Sequence, residues 1–186
     1  MDNQQVILPE TELSYLCAFI DGEGCVGIYV RDRSKENRNN AAYSIKPVVT
    51  VTNTEKQLID EIAKIYDALN IPYYVQHRAS TGRNGESWTL VISGLKRVQK
   101  ILPILIKYCR GKKKLNALDL KEYIESRLDD WASAPFTKRQ LELVENIYQR
   151  NNGKRRLNLR DYTRSSRSTK FPQKLSREDI VQTTTE

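Results

Sequence analysis

The sequence predicts an α+β fold with one antiparallel sheet, in the order helix, two strands, helix, two strands and further helices. Apolar residues recur with helical spacing in several segments, and shorter segments alternate apolar with polar residues. The Asn84-Gly85 pair is typical of a tight turn between two paired strands. Together these observations predict two strand pairs, each preceded by a helix.

The first predicted helix begins after Pro9, with Thr11 as its N-cap, and ends near Asp21 before two closely spaced glycines. Apolar residues occupy nearly its whole circumference, so this helix is expected to be buried on both sides. The alternating residues that follow predict strands over about 26–33 and 43–52.

The same pattern then repeats. A helix carrying Leu58, Ile62 and Ile65 precedes a hairpin whose strands are expected over 73–78 and 88–92. Further segments with helical spacing follow the hairpin at 95–108, 113–128 and 137–149.

The periodicity ends at Gly153, where basic residues become interspersed with Ser, Thr and Asn. Such a composition does not fold by itself. We therefore divide the chain into a single domain over residues 1–152 and a basic extension over 153–186. The extension is expected to become ordered on DNA.

Charge and composition indicate a polyanionic partner. Lys and Arg number 31 against 23 Asp and Glu, which gives a formal net charge of +8. One histidine and three cysteines without CxxC spacing argue against a zinc site or a disulfide framework. No apolar run reaches the roughly 20 residues that span a bilayer, and the first residues do not resemble a targeting peptide. We expect an intracellular protein in a reducing compartment, without a membrane partner.

Residues 16–24, Leu-Cys-Ala-Phe-Ile-Asp-Gly-Glu-Gly, end the first helix with the carboxylates of Asp21 and Glu23. The helix dipole is negative at this end and disfavours each carboxylate by about 0.3–1 kcal/mol. A compensating cation is therefore expected, and carboxylate and carbonyl oxygens are ligands that Mg²⁺ prefers. From the residues alone, a surface helix end with incidental acids is an equal alternative.

This nonapeptide, followed directly by an alternating strand, resembles the signature of the LAGLIDADG homing endonucleases. The order of elements over about residues 13–128 also resembles the αββαββα arrangement of that family. Cys17 and Ala18 depart from the signature's Ala-Gly pair but are still small, and Glu23 stands where Asp is commoner. The resemblance implies a site-specific homing endonuclease that makes a double-strand break in a long pseudo-palindromic DNA target. The reaction would be metal-dependent phosphodiester hydrolysis, and it would promote the mobility of a host intron.

The resemblance also implies the metal ligands. Glu23 and the carbonyl of Gly22 would bind the catalytic Mg²⁺ or Mn²⁺. Asp21 would be an acid that supports the helix end without binding the metal directly.

Two further catalytic positions follow from the same resemblance. Asn53, at the end of the second strand, would organise water at the metal site. Lys112 would be the basic residue before the long helix, with Lys113 and Lys56 as alternatives.

Only one copy of the signature is present, because no second Asp-Gly-acid-Gly sequence follows an apolar helix in residues 25–186. For this family a single copy implies a homodimer in which the first helices of two chains pack across a two-fold axis. This packing would also explain a helix that is apolar on all sides.

The polar face of the predicted sheet suits the major groove of DNA, which admits a β-ribbon and presents distinguishable base edges. Arg and Lys can hydrogen-bond to guanine, Gln can hydrogen-bond to adenine, and Val can pack on thymine methyl groups. His77 is expected to point inward and to be structural. The expected contact residues are Tyr29, Arg31, Arg33, Lys35, Arg38, Ser44, Lys46, Val48, Thr50, Gln76, Arg78, Arg83, Asn84, Thr89, Val91, Lys113, Lys154, Arg155 and Arg156.

Two other functions on the same fold stay open: a maturase that binds host intron RNA, and a DNA-binding regulator that does not cleave. Retention of Glu23 weighs against both but does not exclude the first. Gly27-Ile28-Tyr29 is similar to half of the GIY-YIG nuclease motif, but no Tyr-Ile-Gly follows it. The expected compartment is a mitochondrion, a chloroplast or the cytoplasm of a prokaryote.

Overall fold

The computed structural model describes residues 8–32, 43–82, 85–130, 135–153 and 157. The order of its helices and strands confirms the predicted α+β fold, including the three helices that follow the hairpin. No helix in these ranges is long and apolar enough to cross a membrane. The elements are α1 Glu10–Glu23, β1 Gly24–Asp32, β2 Tyr43–Asn53, α2 Lys56–Ala68, β3 Tyr74–Arg78, β4 Ser87–Ser93, α3 Leu95–Tyr108, α4 Gly111–Asp129 and α5 Lys138–Asn152.

The four strands form one antiparallel sheet in the order β1-β2-β4-β3. Successive side chains of a strand point to opposite faces, so the register divides the sheet into an apolar and a polar face. On the apolar face, Val26, Val49 and Ile92 lie side by side on three strands, and none is more than 1% exposed.

The helices pack against the apolar face and form the core. Each fully buried Leu, Ile or Val contributes about 1.5–3 kcal/mol relative to an exposed position. The buried residues come from all five helices and include Leu16, Ile20, Ile59, Ile62, Val98, Ile101, Leu105, Leu120, Ile124, Val144 and Ile147.

The first helix is longer than predicted at its C-terminal end. It continues through Gly22 to Glu23, and the N–H of Gly24 donates to the carbonyl of Ile20 as the C-cap. A Cβ at Gly24 would lie 2.7 Å from that same carbonyl oxygen, so this turn requires glycine. Glu23 is therefore the last helical residue, and β1 begins immediately after it.

The prediction that His77 points inward is wrong. Its register opposite Trp88 places it on the apolar face, but β3 is an edge strand whose five residues are all exposed. The imidazole Nε2 lies 2.6 Å from Oε1 of Glu86, and the ring stacks on Trp88 with 5.3 Å between centroids. The alternation of residues correctly predicted the face of the sheet on which His77 lies. It could not predict that the helices leave this edge strand exposed.

Candidate active site and nucleic-acid interface

The C-terminal end of α1 presents hard oxygen atoms. Gly22 and Glu23 are both exposed there, and the last carbonyls of a helix lack donors within the helix. Within the described ranges, His, Cys, Asp and Glu side chains form no group of three or more that could hold a metal ion. A carboxylate and a carbonyl nevertheless fit Mg²⁺, which commonly takes one or two carboxylates and completes its shell with water and phosphate oxygens. This end of α1 therefore suits a divalent ion that is shared with a phosphate group.

Asp21 is turned toward α4. Its Oδ2 accepts a hydrogen bond from the backbone N–H of Arg110 at 3.0 Å. This N–H precedes α4, where the helix dipole favours a carboxylate. The other oxygen, Oδ1, is buried and has no hydrogen-bond partner among the described residues. The two acids of the signature thus have different surroundings, since Asp21 joins α1 to α4 while Glu23 is exposed.

Two buried thiols lie close to Asp21. Sγ of Cys109 lies 3.9 Å from the carbonyl oxygen of Cys17, and Sγ of Cys17 lies 3.7 Å from the carbonyl oxygen of Ile104. A hydrogen bond with Cys17, then burial and the charge of Asp21, raise the pKa of the Cys109 thiol far above its usual range. Because the thiolate is the nucleophilic form, Cys109 is not set up for nucleophilic catalysis.

The lysine that reaches the end of α1 is Lys113. It lies in the first turn of α4, is only 9% exposed, and its Nζ donates a hydrogen bond to the carbonyl of Gly24. Lys112 is exposed, because one residue along an α-helix rotates the side chain by about 100°. The structure therefore places Lys113, rather than Lys112, beside the residue that follows Glu23.

Asn53 and Lys56 make local contacts near the end of β2. The pairing of Gly24 with Val51 places Asn53 level with the last residues of α1. Its Oδ1 accepts from the N–H of Glu55 at 2.8 Å, so this bond does not use the Nδ2 group. Lys56 forms an exposed ion pair with Asp60, one turn further along α2.

Polar side chains of α4 and α5 bind the free edge of β1. An edge strand presents carbonyl groups that no neighbouring strand pairs. Nδ2 of Asn116 and Nδ2 of Asn151 both donate to the carbonyl of Val26, at 2.9 and 3.0 Å. The same Asn116 nitrogen also donates to Oδ1 of Asn151 at 3.0 Å.

Arg150 completes this network. Its Nη1 donates to Oδ1 of Asn116 at 2.9 Å, and its Nη2 donates to Oδ2 of Asp119 at 2.7 Å. Asn116 is completely buried. We call Lys113, Asn116, Arg150 and Asn151 the β1 clasp. Since residues three apart share a helix face, the bonds of Asn116 also hold Lys113 at the start of β1.

The polar face of the sheet holds most of the predicted contact residues. Tyr29, 58% exposed, lies beside the exposed Lys46, and Arg31 pairs with Ser44 in the next row. The hydroxyl oxygens of Thr52 and Thr89 are 2.9 Å apart. None of the strand residues that the register assigns to this face is Asp or Glu.

Two residues of the polar face differ from the sequence prediction. Val91 lies on this face between Thr50 and Tyr74, but these neighbours leave it only 5% exposed. Tyr74 is 42% exposed and was not predicted, although it alternates in phase with Gln76 and Arg78. Eight predicted contacts lie outside the described residues: Arg33, Lys35, Arg38, Arg83, Asn84, Lys154, Arg155 and Arg156.

The fold and the carboxylate at the end of α1 define a protein of the LAGLIDADG endonuclease class. The model of the LAGLIDADG endonuclease family matches residues 16–124, more than half of the chain. The chain therefore belongs to this family of DNA-cleaving nucleases. No curated protein matches it in sequence.

Solved structures of homing endonucleases are similar to the chain. It is similar to I-CvuI in complex with the I-CreI target in the presence of Mg, with 18% identity, a TM-score of 0.61, and coverage of 83% of this chain and 94% of that one. It is also similar to the archaeal intron-encoded I-Vdi141I complexed with DNA, with 16% identity and a TM-score of 0.64. That match covers 84% of this chain and 94% of I-Vdi141I. A third similar structure is I-LtrWI bound to target DNA, with 22% identity and a TM-score of 0.60. That match covers 90% of this chain and 54% of I-LtrWI. At these identities the similarity establishes the fold alone.

Proposed function

We propose that this protein is a homing endonuclease that cuts both strands of a long pseudo-palindromic DNA target by divalent-metal-dependent hydrolysis. In the cell this cleavage would promote the mobility of a host intron. The observation that carries the proposal is the exposed Glu23 at the end of the signature helix, with the buried cation of Lys113 at the adjacent carbonyl of Gly24.

The residues at this end of α1 have complementary chemical roles. Glu23 and the Gly22 carbonyl would hold the divalent ion, Mg²⁺ or Mn²⁺. When bound, such an ion activates water and stabilises charge on phosphate oxygens. The Lys113 ammonium offsets charge that develops on the scissile phosphate. The Nδ2 group of Asn53 would orient a water molecule at the metal site.

The proposed active form is a homodimer through α1. Ser14, Ala18 and Gly22 recur every four residues on an exposed face of this helix, and small residues let two helices approach closely. Tyr15, which is 40% exposed, flanks them. The match spans 94% of I-CvuI but only 54% of I-LtrWI, so this chain corresponds to about half of the larger protein. This supports a unit that acts as one of a pair. Each copy of Glu23 would then serve one DNA strand.

The polar face of the sheet is the proposed DNA-binding surface. It combines cationic, amide and hydroxyl side chains and has no acidic strand residue among those described. The excess of Lys and Arg over the whole chain adds attraction to phosphates that does not depend on DNA sequence.

Selection from a randomised duplex DNA library tests this function. The selected DNA should contain one long, nearly palindromic site that the protein cuts on both strands with Mg²⁺ and leaves intact in EDTA. Equal cleavage in EDTA, or no selected site, would contradict the proposal. Tight binding of an intron RNA without DNA cleavage would favour a maturase.

A further inference from the structure

The polar face of the sheet contains an apolar centre, which we define as Val48, Thr50, Tyr74 and Val91. The register places Thr50, Val91 and Tyr74 side by side on β2, β4 and β3. Val48 lies two residues from Thr50 on β2, diagonally next to Val91. At this separation across a sheet, large side chains still contact one another.

The members of the apolar centre differ in exposure. Val91 is 5% exposed and lies between the partly exposed Thr50 and the 42% exposed Tyr74. Tyr74 is thus the member that is most open to the surface that would face DNA.

Hydrogen-bonding side chains lie on both sides of the apolar centre along the strands. Thr52, Thr89 and Gln76 form the next row toward the end of α1. Tyr29 and Lys46 lie in the opposite direction, beyond Val48. Alternate residues of a strand are about 7 Å apart, which corresponds to roughly two base-pair steps. The apolar centre therefore faces a base-pair step distinct from those that the polar rows face.

Base edges in the major groove present hydrogen-bonding groups and one apolar group, the C5-methyl of thymine. We infer that the apolar centre binds a thymine methyl at one position of each DNA half-site, with the exposed Tyr74 as the main contact and the nearly buried Val91 beside it. This inference rests on the proposed function and adds a specific base preference to it. The cations and amides around the apolar centre favour DNA over a protein partner as its occupant.

Replacement of thymine by uracil in the selected target tests the inference, because it removes only the methyl group. Each thymine of a half-site is replaced in turn by deoxyuridine, and the affinity of the wild-type protein is measured. We expect the affinity to fall about fourfold at one position of each half-site, which corresponds to the free energy of burying one methyl group. Replacement of the other thymines should leave the affinity unchanged.

Variants of the apolar centre identify which residues read the methyl. Tyr74→Ala changes an exposed side chain and should abolish the preference for thymine over uracil at that position. Val91→Thr, which has nearly the same volume, should weaken it. Val75→Ala is the matched control, since Val75 is 50% exposed on the opposite face of the same strand. It should keep the full preference.

Three results would overturn the inference: equal affinity for thymine and uracil at every position, a preference that persists in Tyr74→Ala, or a selected half-site without thymine. If the wild-type protein binds no specific DNA site, the proposed function itself fails. The two failures are therefore distinguishable within one set of measurements.

Discussion

Asn116→Ala should strongly destabilise the protein. The side chain is completely buried and makes three hydrogen bonds, donating to Val26 and Asn151 and accepting from Arg150. The carbonyl of Val26 keeps the donor from Asn151. The side-chain oxygen of Asn151 and Nη1 of Arg150 each lose a partner inside the β1 clasp.

The expected magnitude follows from those two groups. A buried polar group that loses its partner costs about 1–3 kcal/mol. The loss of partners at both groups should therefore lower the free energy of unfolding by about 2–6 kcal/mol, a large part of the 5–15 kcal/mol that is typical of folded domains. The missing side chain also leaves a cavity, which acts in the same direction.

Urea unfolding followed by circular dichroism measures this loss, and an unchanged slope with denaturant assigns it to stability. Asn152→Ala is the matched control, since Asn152 is exposed on α5 and donates to the carbonyl of Tyr148 within the same helix. It should change the free energy of unfolding by less than about 0.5 kcal/mol. A loss below about 1 kcal/mol for Asn116→Ala would show that the β1 clasp does not hold the edge of the sheet.

Three further variants test the proposed site, dimer and extension. Lys113→Met should slow cleavage about 100-fold with little change in DNA affinity, while Lys112→Met should stay near the wild-type rate. Both rates are measured in a single-turnover assay, and the reverse order would assign the catalytic role to Lys112. Ala18→Leu should separate the two α1 helices or unfold the protein, since overpacking costs about 1–3 kcal/mol; a wild-type monomer on its full DNA site, by sedimentation, would exclude the dimer. Truncation after Leu157, which packs against the core, should lower the salt slope of log K by about 0.9 for each lost phosphate contact. Equal slopes for both proteins would mean that residues 158–186 do not bind DNA.

Local patterns predicted the fold because each element carries its own signal. The predicted span 95–108 coincides with α3 at Leu95–Tyr108, and the alternating residues assigned the faces of β1 and β2 correctly. His77 failed because exposure at an edge strand depends on the order of the strands and on the extent of the helices. Neither property is encoded in five consecutive residues.

Residues 112–114 show a second limit of sequence analysis. Each of these three consecutive lysines could face α1, and which one does so depends on where α4 begins. Predicted to begin at Lys113, α4 begins at Gly111, and its packing turns Lys113 toward Gly24. The sequence could predict a lysine near the site, but only tertiary packing selects which one.

The β1 clasp has no local sequence signal. Asn116, Arg150 and Asn151 are polar residues on amphipathic helices, where a polar side chain usually indicates a solvent-facing position. Asn116 and Asn151 both bind the carbonyl of Val26, which lies 90 or more residues away along the chain, and Arg150 joins them through Asn116. Contacts of this kind follow from the edge position of β1, which the sequence did not establish.

The central claim, that Glu23 holds the catalytic divalent ion, is tested most directly by Glu23→Gln on the selected DNA target. Glutamine keeps the size of the side chain and removes its charge, so DNA affinity should stay within about threefold while Mg²⁺-dependent cleavage falls at least about 100-fold. Glu12→Gln, which changes an exposed acid near the other end of α1, is the matched control and should cleave normally. Cleavage by Glu23→Gln at the wild-type rate would contradict the account.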